Sequence, residues 1–490
     1  MGLNARIDLF IKSSQVERRP AMRKFSALIP VLLLVASPVL ADPAPEHEAQ
    51  REQASQAYAA GNWQQAIQAA SGILEKNAKD NIALHLRGSA RIELGIMMGD
   101  AAMIRGGITD ARQAISAASD PDFNYYLPYL YGMTSLTRLE DQPQHAQVTV
   151  NVAGQLLQTA TINAEQKANV YYQRGLAQAA LKKTPEAAAD FKAAISTFPK
   201  HLAAYMAMAD TYAEANEDAQ VLQTYQQAAT AFPEEPLVDN NRGMFHMNRK
   251  KYNDAIRAFS AALQKNPKYD IALTNRGYVW LEGGRPKEAE KDLLASLQLN
   301  PNQPAVRSML GTSKLVQGRW QEAVQDYDAV IKATPNDAIA HADAGFAKFF
   351  GRDYAGALAE FNAVIQISPD SQFINPWRTW TLMKLGRKAE ATGIAQSSRA
   401  RGEKERNWID WVILYHIGDI SEAELINHVD RTEPAIQTAQ LCEARFFIAE
   451  HQLNKGQRQE AAASYQQALA TNKRQLSAWR GASYALRKFQ

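Results

Sequence analysis

NPKYDIALTNRGYVWLEGGRPKEAEKDLLASLQLNP, residues 266–301, is one period of a repeat that decides the fold of this 490-residue chain. Its two prolines, Pro267 and Pro301, stand 34 residues apart, and the same spacing continues in both directions. The six prolines in phase are Pro199, Pro233, Pro267, Pro301, Pro335 and Pro369. An internal period of this length indicates a chain built of stacked supersecondary units.

Other positions keep the same spacing when the proline is counted as position 32. Position 8 is small: Gly175, Ala209, Gly243, Gly277, Gly311 and Gly345. Position 24 is bulky: Phe191, Tyr225, Phe259, Leu293, Tyr327 and Phe361. We expect the small residue to let two helices approach closely and the bulky residue to fill the gap between repeats. Proline lacks an N–H and clashes with the preceding turn, so it is expected to end the second helix of each repeat.

The pattern resembles the tetratricopeptide repeat, a helix–turn–helix unit of 34 residues. The resemblance implies an all-α solenoid, a right-handed superhelix of antiparallel helix pairs that presents a binding surface. Glycines at Gly284, Gly318 and Gly351 are expected to mark the turn inside three repeats. Six regular repeats are predicted within 168–371, namely 168–201, 202–235, 236–269, 270–303, 304–337 and 338–371.

Less regular copies are expected on both sides of the six repeats. Residues 42–167 predict degenerate N-terminal repeats, with an insertion near 98–107. Residues 372–490 predict degenerate C-terminal repeats and a closing helix from Leu476 to Phe489. Terminal repeats of solenoids are atypical because they must cap the stack.

Residues 1–41 have the layout of a secretory signal peptide. Met22-Arg23-Lys24 is basic, Phe25–Val39 is mostly apolar, and Val39-Leu40-Ala41 ends in the small residues of a cleavage site. Met22 alone would begin a conventional signal. We expect cleavage after Ala41 and export to the periplasm of a Gram-negative bacterium; the alternative is an uncleaved N-terminal anchor.

The charge of the chain belongs largely to this segment. Of 54 Lys and Arg and 51 Asp and Glu, six and two fall within residues 1–41, which leaves 48 and 49. No nucleic-acid partner is therefore expected. The single cysteine, Cys442, excludes an internal disulfide and is expected to fill the core. Because no cysteine lies near Ala41, we expect membrane association only through partners.

Catalytic signatures are missing from the sequence. It has no HExxH, GxSxG or P-loop pattern, and its nine histidines lack the spacing of metal ligands on a helix. We predict no catalytic residues, no metal site and no cofactor. Arginine precedes the position-8 glycine at several repeats: Arg87, Arg174, Arg242 and Arg276. Two interpretations stand, a row of anion-binding sites or arginine heads that reach solvent or carboxylates.

The resemblance places partner binding on the concave face, lined by the first helix of each repeat. Carried over position by position, it predicts a groove for a protein or peptide partner formed by Asn240, Asn241, Met244, Asn275, Tyr278, Leu281, Phe346, Phe349 and Phe350. The three phenylalanines are the expected hot spot; the alternative is that later helices cover them as core. The lysine and asparagine of a chaperone carboxylate clamp are absent from these positions.

The block after the repeats is similar to the C-terminal half of a bacterial envelope family, new lipoprotein I. The similarity lies in the tryptophan segment Trp408–Tyr415, the following Gly418–Glu422 with its Ser421…Glu424 capping box, and Glu443–Phe447. It implies a scaffold that gathers cell-wall hydrolases or proteases, although the lipid-attachment cysteine of that family is absent. Trp377, Trp380, Trp408 and Trp411 are also explained as one side of packed helices.

From these observations we predict an exported scaffold or adaptor that mediates protein–protein interactions in the cell envelope. It would recruit cell-wall or proteolytic enzymes. The alternative is a module that binds an envelope polysaccharide or peptidoglycan, in which aromatic side chains would stack on sugar rings.

Overall fold

Antiparallel helix pairs make up the computed structural model, which describes residues 48–118, 123–140, 143–159, 162–474 and 476–487. No strand occurs within these ranges, so the predicted all-α class is confirmed. The predicted signal peptide, residues 1–41, lies outside them. Among the described helices, none is both long enough and apolar enough to cross a membrane.

The described residues form two compact units, 48–241 and 242–487, and the boundary falls within helix α11. Before it lie α1 (Glu48–Ala59), α2 (Trp63–Lys76), α3 (Asn81–Met98), α4 (Ala101–Ala117), α5 (Phe123–Glu140), α6 (Pro143–Thr159), α7 (Ala164–Ala180), α8 (Thr184–Thr197), α9 (Leu202–Glu214) and α10 (Asp218–Ala231). From the boundary onward lie α11 (Pro236–Asn248), α12 (Tyr252–Lys265), α13 (Asp270–Glu282), α14 (Pro286–Leu299), α15 (Pro304–Val316), α16 (Trp320–Ala333), α17 (Ala338–Phe350), α18 (Tyr354–Ile367), α19 (Asn375–Lys384), α20 (Lys388–Ala400), α21 (Trp408–Ile417), α22 (Glu422–Asn427), α23 (Pro434–Asn454), α24 (Arg458–Ala470) and α25 (Ser477–Arg487). Two short 3₁₀ turns, Gln372–Ile374 and Glu403–Glu405, complete the second unit.

The prolines of the ladder act as predicted. In every regular repeat the second helix ends two residues before the proline, and the residue between them leaves the helical region. Asn300, which precedes Pro301, has φ −139° and ψ 97°. The ring of a proline disfavours the helical conformation of the residue before it, which explains the repeated ending.

The turn inside each regular repeat depends on a left-handed residue at position 15. That residue is Lys182, Asn216, Lys250, Gly284, Gly318 or Arg352, with φ between 58° and 87°. Gly351 was expected to mark its turn, but it is right-handed with φ −72°, and the next residue carries the positive φ. Most of these turns therefore place a side chain where glycine is favoured.

The position-8 glycines lie directly against the position-24 side chain of the same repeat. A Cβ built on Gly345 would stand 2.5 Å from the ring of Phe361, and one on Gly243 would stand 2.6 Å from the ring of Phe259. Both rings are fully buried. The prediction that small residues allow the two helices to approach is thus confirmed in atomic detail.

The irregular segment near residues 98–107 is helical. Helix α3 ends at Met98 and α4 begins at Ala101, so the segment holds one short turn and the start of α4. The extra residues lengthen this pair to 18 and 17 residues, compared with 13 and 14 in a regular pair such as α15 and α16. Glycine keeps this pair close, since a Cβ on Gly88 would lie 2.9 Å from the Gly107 carbonyl oxygen.

Candidate functional site

The predicted groove residues divide into buried and half-exposed groups. Asn240, Asn275, Phe346, Phe349 and Phe350 are buried. Asn241, Met244, Tyr278 and Leu281 are half-buried. The structure therefore leaves only part of the predicted groove available to a partner.

The three phenylalanines are core residues in this structure. The ring of Phe346 lies 4.8 Å from that of Trp377, and Phe350 lies 6.1 Å from Phe446. Only 2% to 6% of each phenylalanine is exposed. The alternative interpretation applies to them, because the helices after residue 371 pack over this end of the repeats and take the rings out of solvent. They do not line an open groove.

Two of the asparagines belong to the first unit. Asn240 donates a hydrogen bond from Nδ2 to Oδ1 of Asn241 at 3.3 Å, and Asn241 donates from Nδ2 to the sulfur of Met206 at 3.3 Å. These contacts hold both amides beside the preceding repeat. Of the two, only Asn241 reaches the surface.

A row of half-exposed apolar side chains occupies the first helices of two consecutive repeats in the second unit. Met244 packs on Met247, and Tyr278 packs on the same cluster. Tyr278 and Leu281 also pack against the core of the following repeat, which includes Met309. Each side chain is thus held in place by its inner part while its outer part stays accessible.

The closing helix α25 lies on the first helices of two earlier repeats, α15 and α17. Its residue Gly481 meets α17 and α23, since a Cβ there would stand 2.4 Å from the ring of Phe350 and 2.6 Å from that of Phe446. Tyr484 places its ring 6.3 Å from Phe350. The sequence predicted a closing helix but not this seat.

Arginines fasten α25 to the earlier repeats. Arg480 Nη1 lies 3.7 Å from Oδ1 of Asp343, and both side chains are about nine-tenths buried. Just before the helix, Arg474 donates from Nη1 to the carbonyl oxygen of Glu282 at 3.4 Å, across 192 residues of sequence. Asp343 occupies position 6 of its repeat, one of the positions expected to line the concave face.

The arginines that precede position-8 glycines are paired inside their own repeats. Arg174 donates to Asp190 at 2.8 and 2.6 Å, and Arg276 donates to Asp292 at 2.7 and 2.8 Å. Both pairs are bidentate, the strongest arrangement of arginine and carboxylate. These two arginines join the helices of one repeat, so the structure supports the interpretation in which the arginine heads reach carboxylates.

An open depression of about 540 Å³ lies beside α25. Its lining includes Arg285, Arg319 and Arg487. Arg285 pairs with Glu288 at 2.6 Å, and Arg319 pairs with Glu290 at 2.8 Å and with Glu322 at 2.5 Å. Because these two guanidinium groups are matched by carboxylates, the depression is not an anion trap.

The tryptophans of the C-terminal block are all buried, as their helical spacing suggested. The ring of Trp380 stacks on His451 with centroids 3.8 Å apart. Cys442 is also buried, and burial raises the pKa of its thiol to about 12. Within the described ranges no group of three or more His, Cys, Asp or Glu could hold a metal ion.

A family model described as tetratricopeptide repeat matches residues 170–236, 241–304 and 308–372. Together with the helix pairs above, this match confirms that the regular centre of the chain consists of tetratricopeptide repeats and that the fold is an all-α repeat solenoid. Such repeats are protein- and peptide-binding modules. No curated protein matches the chain.

Several solved structures share this arrangement of helices, and the likeness concerns the fold alone. One is YrrB, a tetratricopeptide-repeat protein with an unusual peptide-binding site, at 24% identity and TM-score 0.33 over 37% of this chain and 93% of that chain. A second is PilF of Pseudomonas aeruginosa, at 22% identity and TM-score 0.36 over 42% and 94%. A third is yeast Tom70, at 18% identity and TM-score 0.45 over 60% and 62%. With such TM-scores, none of these likenesses bears on function.

Proposed function

We propose that this tetratricopeptide-repeat chain is a non-catalytic scaffold that binds segments of partner proteins in the bacterial cell envelope. One observation carries the proposal. Met244, Tyr278 and Leu281 form a fixed row of half-exposed apolar side chains on consecutive first helices. Rigid apolar anchors of this kind are what a peptide groove offers to apolar residues of a ligand.

The position of the row within the repeat supports the same conclusion. Tyr278 and Met244 both occupy position 9 of their repeats, and Leu281 occupies position 12. These are positions at which the family contacts its peptides. Because the inner part of each side chain is packed, binding would immobilise little that is not already ordered, which lowers the entropic cost of association.

The envelope assignment rests on sequence. The signal-peptide layout of residues 1–41 supports export, and the resemblance of Trp408–Tyr415, Gly418–Glu422 and Glu443–Phe447 to new lipoprotein I supports an adaptor for cell-wall or proteolytic enzymes. The capping box of that block is present, since Ser421 Oγ accepts from the amide of Glu424. Carrying no lipid-attachment cysteine near its cleavage site, the protein would meet the membrane through its partners.

The carbohydrate-binding alternative is less well supported. It requires aromatic faces that a sugar ring can reach, but the phenylalanines at the end of α17 and all four tryptophans of the C-terminal block are buried. Of the predicted groove aromatics, Tyr278 alone keeps an accessible part. One ring is a poor platform for a polymer.

Photo-cross-linking in living cells tests the proposal. A photoreactive phenylalanine analogue at Tyr278 should form covalent adducts with one or a few proteins, identified by mass spectrometry. The same analogue at Gln298, exposed on α14 of the same repeat, is the matched control and should capture none of them. Equal capture at both positions would remove the groove assignment. Enrichment of glycan without protein would favour the carbohydrate-binding alternative.

A further inference from the structure

We infer that the surface of α15 and α17 beneath the closing helix is a second partner site, that α25 is its resident occupant, and that the partner is an amphipathic helix with small residues on successive turns and one basic residue. The inference deepens the proposed function and rests on it for the nature of the partner. It starts from an unusual contact: the end of the chain lies on the helix face that this family uses for ligands.

The first requirement on the partner comes from the closeness of α25 to its seat. Residues Ala478, Gly481, Ala482 and Ala485 follow the spacing i, i+3, i+4 and i+7, so they form one stripe along the helix. Gly481 is pressed so closely onto Phe350 and Phe446 that a Cβ would overlap both rings. A helix that replaces α25 must therefore present glycine or alanine at this point.

The second requirement is charge. The carboxylate of Asp343 projects from α17, with 9% of its side chain exposed, and Arg480 of α25 meets it at 3.7 Å. Removing α25 would leave Asp343 without this cation beside an apolar surface. A partner helix that carries Arg or Lys one residue before its small residue would restore the pair. Acidic or uncharged helices would not.

The third observation concerns the attachment of α25. The helix has eleven residues, and its stripe consists of small side chains, so little apolar area holds it compared with the 21-residue α23 beneath it. Its polar contacts to the repeats are long, 3.7 Å from Arg480 and 3.4 Å from Arg474. Terminal elements with few contacts open locally without global unfolding. Opening of α25 would expose Phe350 and Phe446 together, which creates an apolar site with an acidic edge.

Competition by a synthetic peptide tests the inference on the full chain. The probe has the sequence of residues 472–487 and a fluorescent label. In a Gly481→Leu chain the leucine cannot fit over Phe350, so the resident helix is unseated and the peptide should bind. Wild-type chain should bind it at least about tenfold more weakly, because its own α25 competes at high effective concentration. Gly393→Leu, at an exposed helical glycine with open space around it, is the matched control and should behave as wild type.

A charge exchange makes the test specific. Asp343→Arg combined with Gly481→Leu should lose the parent peptide and instead bind a peptide with Arg480→Glu. Circular dichroism of every variant establishes that it is folded. In wild type, hydrogen exchange of α25 amides should be at least about tenfold faster than that of α23 amides, because α25 opens alone.

The inference is overturned if folded Gly481→Leu chain binds the peptide no tighter than wild type, or if α25 amides exchange only as fast as those of α23. It is also overturned if the wild-type chain is a dimer in which α25 cross-links to α17 of a second copy, since the seat would then serve self-association. Failure of cross-linking at Tyr278 would instead remove the proposed function and leave the peptide result unaffected.

Discussion

His416 Nδ1 and His451 Nε2 lie 3.0 Å apart in the interior of the second unit, one ring nitrogen donating to the other. His451 stacks on Trp380, and His416 is 1% exposed. Two protonated imidazoles could not share this hydrogen bond. The pair is therefore a structural contact that depends on neutral histidine.

Acid should weaken the second unit through this pair. Burial lowers the pKa of His451 to about 3 and holds the pKa of His416 well below its ordinary value, with Lys384 adding to both effects. Unfolded histidine titrates near pH 6.5, so the stabilisation is complete above that pH and is lost as pH falls from 6.5 toward 3. Between pH 7 and pH 5 we expect a loss of about 2 kcal/mol for each histidine.

Tryptophan fluorescence during urea unfolding measures this change, because seven of the eight tryptophans lie in the second unit. His451→Gln should reduce the pH-dependent loss by about 2 kcal/mol. Burial raises the pKa of Glu443 to about 7, so its effect has the opposite sign and is common to both proteins. An identical pH dependence in wild type and variant would contradict the assignment.

Adding a methyl group at the helix contact of a repeat should be destabilising. Gly345→Ala would place Cβ 2.5 Å from the Phe361 ring and should lower the free energy of unfolding by about 1–3 kcal/mol. Gly393→Ala, where a Cβ meets open space, should raise it by about 0.5–1 kcal/mol. Chemical denaturation of both variants decides the point, and equal signs would argue against the close contact.

Left-handed turn residues should respond in the opposite way. Lys250→Gly relieves a side chain at φ 58° and should stabilise the second unit by about 0.5–1 kcal/mol. Gly318→Ala introduces a side chain at φ 87° and should destabilise it by about 1 kcal/mol. Thermal unfolding followed by fluorescence compares the two. A destabilised Lys250→Gly would mean that the lysine side chain, not the backbone, matters at this turn.

The ion pair inside a repeat should matter more than a pair on the surface. Asp292→Asn leaves Arg276 without its bidentate carboxylate in a mostly buried place and should lower the free energy of unfolding by about 1–3 kcal/mol. Glu288→Gln removes the exposed pair with Arg285 and should change stability little. The comparison is made at low and high salt. Equal effects of the two substitutions would refute the structural role of Arg276.

Export can be tested on the natural protein. Cleavage after Ala41 predicts a mature chain that begins at Asp42 and is released from the periplasm by osmotic shock. N-terminal sequencing of the purified protein gives the answer. A chain that keeps Phe25–Val39 and sediments with membranes would instead support the uncleaved anchor.

The regular centre was predictable to the level of individual contacts. Gly243 and Phe259 are 16 residues apart in one repeat, and their meeting follows from the phase of the pattern. The turn was less predictable: Arg352 takes the left-handed conformation although its neighbour Gly351 was the better candidate. Hydrogen bonding of the whole turn, rather than the preference of one residue, places the positive φ at position 15.

The groove shows the limit of reasoning by position. Tyr278 and Phe346 both occupy position 9, yet Tyr278 is half-exposed and Phe346 is buried. The difference lies outside their repeats, in helices that pack only on the second of them. Position in a repeat predicts which way a side chain points, not what covers it.

Periodicity alone established the helix pairs, their ends at the prolines and the glycine contacts, because these interactions join residues within one repeat or its neighbour. Folding in three dimensions decided which surfaces remain open. Arg474 reaches the carbonyl of Glu282 across 192 residues, and Gly481 covers Phe350 from a segment that has lost the 34-residue period. Such contacts depend on how the stack returns on itself within the second unit, and a local repeat carries no record of that path.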